Sequence, residues 1–163
     1  MPIPTIAQPE ILPISEALRL RRYDGALSLA LPWYQDGETV WLVDGDRRPY
    51  TLERLRRMYE FLDARGELYW IELRENGTFR PAGDVTFWQE DMPIVLGDPG
   101  VRGRGIGRQV VEALCRRGAA LGYRELFVSE IYDWNSASRR CFEGAGFQAY
   151  EKTERGWRFR KVL

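Results

Sequence analysis

Apolar and polar positions along this chain fall into two periods, one helical and one of strand type. The strongest helical stripe is Leu52, Leu55, Met58, Tyr59 and Leu62, which predicts a helix over Thr51–Arg65 ended by Gly66. A second stripe, Ile106, Val110, Ala113, Leu114 and Leu121, predicts a helix over Gly105–Leu121. Gly118 lies on that stripe and weakens it slightly. Two shorter helices are expected. One covers Gly25–Trp33, capped by Asp24 and disturbed at its end by Pro32, and the other covers Ser136–Gly144. Strands are expected at Leu18–Tyr23, Glu67–Leu73, Ala82–Gln89, Met92–Gly97 and Glu125–Tyr132. Asn76-Gly77 supplies a hairpin turn, and a last hairpin joins Gln148–Lys152 to Trp157–Val162 around Glu154-Arg155-Gly156. The first 13 residues hold four prolines and no period, so they read as an extended tail, with residues 14–163 as a single domain. The order of elements is that of one mixed α/β layer fold.

Composition narrows the chemistry. Acidic and basic residues balance at 24 each, which argues against a nucleic-acid or anionic-membrane partner. There is no histidine, so triads, metal sites and general bases built on imidazole are excluded. Cys115 and Cys141 form neither a disulfide framework nor a zinc-ligand pattern, and no metal is expected. No leader pattern and no long apolar run stands out, which leads to the expectation of a cytoplasmic protein. Any acid or base must then be a carboxylate, tyrosine, cysteine, lysine, terminal amine or water.

The most informative stretch is Arg102–Gly107, RGRGIG, between the Met92–Gly97 strand with its Asp98-Pro99-Gly100 turn and the following helix. A strand that runs through a glycine-rich loop into a helix N-terminus suits an anion, because the first helical N–H groups are unpaired and carry the positive end of the dipole. A P-loop ends in Gly-Lys-Ser/Thr, whereas this loop has Gly107-Arg108-Gln109. A dinucleotide fingerprint needs a third glycine where this chain has Arg108 or Val110, depending on the starting glycine. What remains is Arg-x-x-Gly-x-Gly, carried by Arg102, Gly105 and Gly107. Downstream, Asn135–Phe147 reads NSASRRCFEGAGF, with Asn135 just before the short helix, Ser138 in its first turn and Gly146-Phe147 after its end.

These two motifs, in this order and context, resemble the GNAT superfamily of N-acetyltransferases, and the resemblance extends from Leu18 to Val162. The Pro32–Gln35 segment, PWYQ, is similar to the ribosomal-protein-alanine and aminoglycoside 6′-acetyltransferase branches. The resemblance implies an α/β (α+β) fold, with a mixed, mainly antiparallel central sheet of about seven strands flanked by about four helices. It implies acetyl-CoA as co-substrate and an amine acceptor, small molecule or peptide, for a monomer or homodimer. Backbone groups of Val95, Leu96 and Gly97 would pair with the pantetheine arm. Arg102, Gly103, Arg104, Gly105, Ile106 and Gly107 would cradle the pyrophosphate. Asn135 and Ser138 would bond the arm or a phosphate, and Arg139 and Arg140 would meet the 3′-phosphate unless they are simply solvated.

One departure from the family pattern bears on mechanism. The tyrosine that many members place on the short helix to protonate the leaving thiolate is Phe142 here, expected to pack on the pantetheine arm. Either another group serves as acid or none does; Tyr132, at the end of the preceding strand, is the best substitute, and Glu130 in the same strand is the expected base, ahead of Asp91, Glu90 and Glu72. Trp33, Tyr34 and Asp36 begin a stretch to Asp46, rich in aromatics and acids, that reads either as a wall for a cationic amine or as a solvated loop with aromatic anchors. The leading expectation is direct acetyl transfer to a primary amine: a protein N-terminus, an amino sugar or aminoglycoside, or a polyamine. The alternative is a non-catalytic acyl-CoA-binding sensor or assembly module, which the missing tyrosine keeps open.

Overall fold

Strand pairing begins earlier in the chain than the sequence pattern suggests. In the computed structural model, which describes residues 6–163, β1 (Ile11–Ser15) pairs antiparallel with β2 (Leu18–Arg22). Residues 1–5 of the expected tail lie outside the described residues, and the rest of it is corrected in part to a strand. β1 is an edge strand, the place in a sheet where Pro13, lacking an N–H, is tolerated.

A short 3₁₀ turn over Leu27–Ala30 then leads into α1 (Leu31–Gln35) and α2 (Gly37–Asp44). The expected helix over Gly25–Trp33 is therefore displaced, and the stretch from Pro32 to Asp46, expected as a loop, is largely helical. Pro32 falls at the first positions of α1, where a missing N–H costs nothing. Asp36 caps α2 by accepting from Thr39 N at 3.0 Å, and Gly45 ends it in the left-handed region at φ 75°. Asp24 starts no helix; its carboxylate accepts from Ala26 N and from Trp70 Nε1.

From there the pattern and the structure converge. α3 (Leu52–Arg65) is capped by Thr51, whose hydroxyl accepts from Arg54 N at 3.1 Å, and buries Leu55, Tyr59 and Leu62. β3 (Glu67–Glu75) and β4 (Thr78–Phe87) form a hairpin through Asn76 and Gly77, both at positive φ as a tight primed turn requires. β5 (Ile94–Leu96) follows, then α4 (Ile106–Ala120), β6 (Glu125–Tyr132), α5 (Ser136–Gly144), β7 (Gln148–Lys152) and β8 (Gly156–Val162). Leu68 and Trp70 of β3 pack with α1 and α3, whereas Tyr69 and Ile71 pack with Val110, Val111 and Leu114 of α4. Both faces of β3 are thus covered, which is why ELYWIEL shows no alternation.

The expected mixed α/β fold with mainly antiparallel strands and flanking helices is what the structure has, its strands divided into two sheets: five in the order β1-β2-β3-β4-β5 and three in the order β6-β8-β7, with every pairing among the described residues antiparallel. Among the described residues, hydrogen bonds join the two sheets at one corner. Phe127 N donates to Gln89 O at 2.9 Å, and Ser129 donates to Asp91 twice, from N at 3.0 Å and from Oγ at 2.7 Å. Beyond Ser129, β5 and β6 share no hydrogen bond among the described residues, and they diverge. A bulge in β6 between Val128 and Ile131 marks the same place, re-aiming the strand where pairing to its outer neighbour stops.

Buried carboxylates on β3 and β4 are each given donors. Glu67 meets Arg117 at 2.6 Å and Glu72 meets both Arg19 and Arg21 at 2.8 Å. Asp84 is handled differently: Tyr34 and Tyr59 donate their hydroxyls to its Oδ2 at 2.7 and 2.8 Å. Burial pushes the Asp84 carboxyl up to about 6, and the two hydroxyls only partly oppose it. The folded state therefore keeps this proton to a higher pH than the unfolded chain, which releases it near pH 4. Ionising Asp84 costs stability progressively as pH rises from about 4 to about 6, on the order of 3 kcal/mol in all. Asp84→Asn removes that loss. Unfolding free energies from urea titrations should then show the wild type losing roughly 3 kcal/mol relative to the variant between pH 4 and 7; a difference that stays constant over that range contradicts the assignment.

Candidate active site

The divergence of β5 from β6 opens a cavity of about 650 Å³. Its walls are the two separating strands, its far end is the loop before α4 together with α5, and Thr39, Leu42 and Val43 of α2 lie across it. On β5, Thr86 N donates to Pro93 O, and Gly97 N donates to Ala82 O at 2.9 Å. Ladder bonds alternate every second residue, so the backbone groups of Ile94 and Leu96 turn away from β4 into the cleft. Those of Val95 and Gly97 face β4 instead, which corrects their expected pairing with a ligand; Leu96 keeps its N–H toward the cavity.

Arg102 does not point its guanidinium at the loop. Its Nε donates to Leu96 O at 3.0 Å and its terminal nitrogen to Thr39 Oγ1 at 2.8 Å, so it ties the loop to β5 and to α2. Gly103 and Gly105 both adopt left-handed φ, 75° and 74°, with open space around the position a Cβ would take. Together with the free N-terminal N–H groups of α4, whose first turn includes Ile106 and Gly107, they form a concave backbone surface suited to an anion. Gly107 is needed for another reason: a Cβ there would lie 3.1 Å from Cys141 Sγ, so α4 and α5 meet closely at this point. Arg104 is exposed and outside the cavity lining.

On α5 the arginines separate. Arg139 bonds Glu143 at 3.3 Å and lies over Phe159, whereas Arg140 lines the cavity and has no carboxylate within pairing distance among the described residues. Arg108 reaches the cavity too, with its Nε bonded to Glu112 at 2.7 Å. Asn135 caps α5 by accepting from Ser138 N at 3.0 Å, and both residues line the cavity. Phe142 is buried, lies edge-on to Phe147 at 5.2 Å and forms part of the wall. Burial pushes the Cys141 thiol up to about 12, so it is not a nucleophile near neutral pH.

Glu130 and Tyr132 come together at the β6 wall. Glu130 Oε2 accepts from Thr153 Oγ1 at 2.6 Å, and no bond to Oε1 occurs among the described residues. The other candidate bases are engaged or remote. Asp91 accepts from Met92 N, Ser129 N and Ser129 Oγ, Glu72 is buried under two arginines, and Glu90 is exposed outside the lining.

The expected amine wall does not assemble. Tyr34 is fully buried on Asp84, Asp36 is the cap of α2, and Trp33 packs on the Gly97 backbone and edge-on to Trp70 at 6.0 Å. None of the three lines the cavity. The residues that do are Thr39, Leu42 and Val43, which were not expected there although their i, i+3, i+4 spacing is legible in the sequence. Among the described residues, no group of acids and cysteines is arranged to hold a metal ion, and no helix is long and apolar enough to cross a membrane.

A family model, the acetyltransferase (GNAT) domain, matches residues 17–148 and so takes in the glycine loop and both diverging strands. The chain belongs to the GNAT acetyltransferase family. Solved structures agree on the GNAT fold. A domain from Methanocaldococcus jannaschii DSM 2661 is 24% identical, with 90% of this chain and 98% of that one covered and a TM-score of 0.77. The Salmonella typhimurium acetyltransferase that modifies the N-terminal serine of ribosomal protein L7/L12 is 22% identical, covering 94% and 99%, with a TM-score of 0.69. The aminoglycoside acetyltransferase AAC(6')-Ib, in complex with ribostamycin and coenzyme A, is 17% identical, covering 90% and 94%, with a TM-score of 0.72.

Within this GNAT fold the contact of Trp33 with Gly97 fixes α1 against the end of β5. A Cβ on Gly97 would collide with the Trp33 ring. Gly97→Ala should therefore lower the unfolding free energy by about 1–3 kcal/mol in denaturant titration, and Trp33→Phe in the same chain should recover part of it; an unchanged stability of Gly97→Ala contradicts the packing.

Proposed function

We propose that this acetyltransferase moves an acetyl group from acetyl-CoA directly to the nitrogen of a primary amine. The observation that carries the reading is the continuity of one cavity, from the open glycine loop at α4 to Glu130 and Tyr132 on β6. Acetyl-CoA supplies the activated acyl group as a thioester. The loop fits its pyrophosphate: Gly103 and Gly105 leave room for close approach, and the α4 N-terminus favours negative charge. Arg140, free of any carboxylate among the described residues, suits the 3′-phosphate. Ile94 offers its backbone groups to the pantetheine arm in the manner of an added strand.

Each chemical role then falls to a particular group. Glu130, through the oxygen not held by Thr153, takes the proton of the incoming ammonium directly or through water. Leu96 N–H donates to the oxyanion as it develops at the carbonyl. Tyr132 gives its proton to the departing sulfur. Burial raises the Tyr132 hydroxyl above its ordinary value, and nearby Arg155 only partly opposes this, so it is protonated near neutral pH and able to donate. Phe142 packs and takes no part in proton transfer.

Charge around the cavity favours one kind of acceptor. Asp36 is a cap, Glu38 meets Arg47, Asp44 accepts from Tyr50 and Arg54, and Asp46 lies near Arg48. With Asp91 engaged by Ser129 and Met92, Glu130 alone among the lining carboxylates keeps a free oxygen. One carboxylate oxygen open to the cavity suits an acceptor that presents one ammonium there, such as a chain N-terminus or a monoamine, better than an aminoglycoside or polyamine. Phe142 in the usual tyrosine position is the observation that favours the second reading, an acyl-CoA-binding module without turnover.

Free-thiol release from acetyl-CoA, measured against peptides, simple amines, polyamines and aminoglycosides, separates the two readings. Turnover is expected with monoamine or peptide acceptors, and Tyr132→Phe should lower kcat about 100-fold. Binding without release on any acceptor supports the second reading. Arg140→Ala should weaken acetyl-CoA binding about five- to tenfold yet leave the 3′-dephospho form unaffected; equal weakening of both forms removes the assigned contact.

A further inference from the structure

Moving the proton donor from α5 to Tyr132 creates a geometric problem. A strand-end side chain has two free torsions, and the hydroxyl of a proton donor must be aimed. Several tyrosines of this fold are aimed by a hydrogen bond: Tyr34 and Tyr59 to Asp84, Tyr50 to Asp44, Tyr69 to Glu67. The Tyr132 hydroxyl has no such bond among the described residues, although the residue lines the cavity. Its ring is held by stacking instead. Trp134 lies 4.6 Å from it at an interplanar angle of 19°, and Trp41 of α2 lies 4.7 Å from Trp134 at 25°. Trp134 Nε1 donates to Trp41 O at 3.2 Å, fixing the middle ring. The Arg155 guanidinium lies over the Tyr132 ring at 4.9 Å, and that of Arg47 over Trp41 at 5.3 Å. Gly45 lets the stack close: a Cβ there would be 2.9 Å from Trp134 and 3.0 Å from Arg155.

We propose that Trp134, seated on Trp41, is a positioning residue that aims the Tyr132 hydroxyl at the sulfur of the bound thioester, so that α2 and the proton donor move as one unit. The inference rests on the acetyl-transfer reading above. In the step concerned, the acceptor nitrogen bonds to the carbonyl carbon. The carbon–sulfur bond breaks with its electron pair passing to sulfur, and the Tyr132 proton goes to that sulfur. The phenolate then regains the proton shed by the acceptor nitrogen. Stacking leaves the hydroxyl free of any protein partner, which a donor to a transient thiolate requires, and a hydrogen bond to a carboxylate would forbid it.

The test compares Trp134→Ala, Trp134→Phe, Tyr132→Phe and the double variant Tyr132→Phe/Trp134→Ala. Trp134→Ala should lower kcat about 10- to 100-fold with the KM for acetyl-CoA within about twofold. Trp134→Phe, which keeps a stacking ring, should stay within about threefold of wild type. The double variant should be no slower than Tyr132→Phe alone, because the tryptophan acts only through the tyrosine. Losses that multiply, or a Trp134→Ala effect confined to KM, overturn the proposal in favour of a plain tertiary fastener.

A second readout needs no acceptor. The ultraviolet absorbance of the thiolate of bound coenzyme A is titrated against pH. A donor hydroxyl favours the thiolate, so the thiol should titrate about one pH unit lower on wild type and Trp134→Phe than on Tyr132→Phe or Trp134→Ala. Identical titrations on all four overturn the positioning role alone. Failure of the wild type to bind coenzyme A defeats the acetyl-transfer reading, and this inference with it.

Discussion

The site depends on one short set of contacts, the grip of Asp91 on Ser129. Neighbouring strands tend to keep pairing, because unpaired backbone groups are costly when water is excluded. Here a carboxylate takes over from the backbone ladder, accepting from both Ser129 N and Ser129 Oγ, and pairing stops. The β6 bulge at the same point turns the strand aside. The two unpaired edges then face one another across a wedge, and the freed groups of Ile94 and the Leu96 N–H become available to a ligand. The cavity exists because the sheet fails at a fixed place. That place is a side-chain contact between residues 38 positions apart.

Electrostatic satisfaction then determines what the cavity presents. In this arginine-rich chain several carboxylates that leave the solvent are matched by arginines: Glu67 with Arg117, Glu72 with two arginines, Asp98 with Arg80. Asp84 is held by two tyrosines, whose hydroxyls only partly oppose the rise in its pKa caused by burial. Among the charges that line the cavity, Arg102 and Arg140 have no carboxylate within pairing distance among the described residues, and Glu130 keeps one oxygen free of hydrogen bonds.

Local patterns made most of the fold legible. The α3 and α4 stripes, the Asn76-Gly77 turn and the glycine loop are contiguous features whose physics is contained within a few residues. The misreadings share a cause. Pro13 and Pro32 read locally as breakers, yet one sits on an edge strand and the other in a helical first turn, positions where a missing N–H is harmless. The separation into two sheets rests on Asp91 and Ser129, which no local pattern links. The assignment of Tyr34 and Asp36 to a binding wall failed because burial on Asp84 and capping of Thr39 are equally good reasons for an aromatic and an acid at those positions. Arg102 was legible as a loop residue, but its use as a brace to Leu96 O depends on where β5 ends.

Phe142 shows how such a site can change without losing its architecture. The ring still fills the wall beneath the cavity, packed edge-on against Phe147, so the shape an arm would meet is preserved while the proton is gone. A hydroxyl can replace it only from a residue that borders the same space and is not already bonded. Tyr132 satisfies both conditions, and it does so because Trp134 and Trp41 constrain it without consuming its hydroxyl. The same stack ties α2 to the end of β6, so the helix that lines one side of the cavity and Tyr132 share one mechanical support. Under the proposed reaction an acceptor that shifts α2 would shift Tyr132 as well, which would couple the fit of the acceptor to the readiness of the acid.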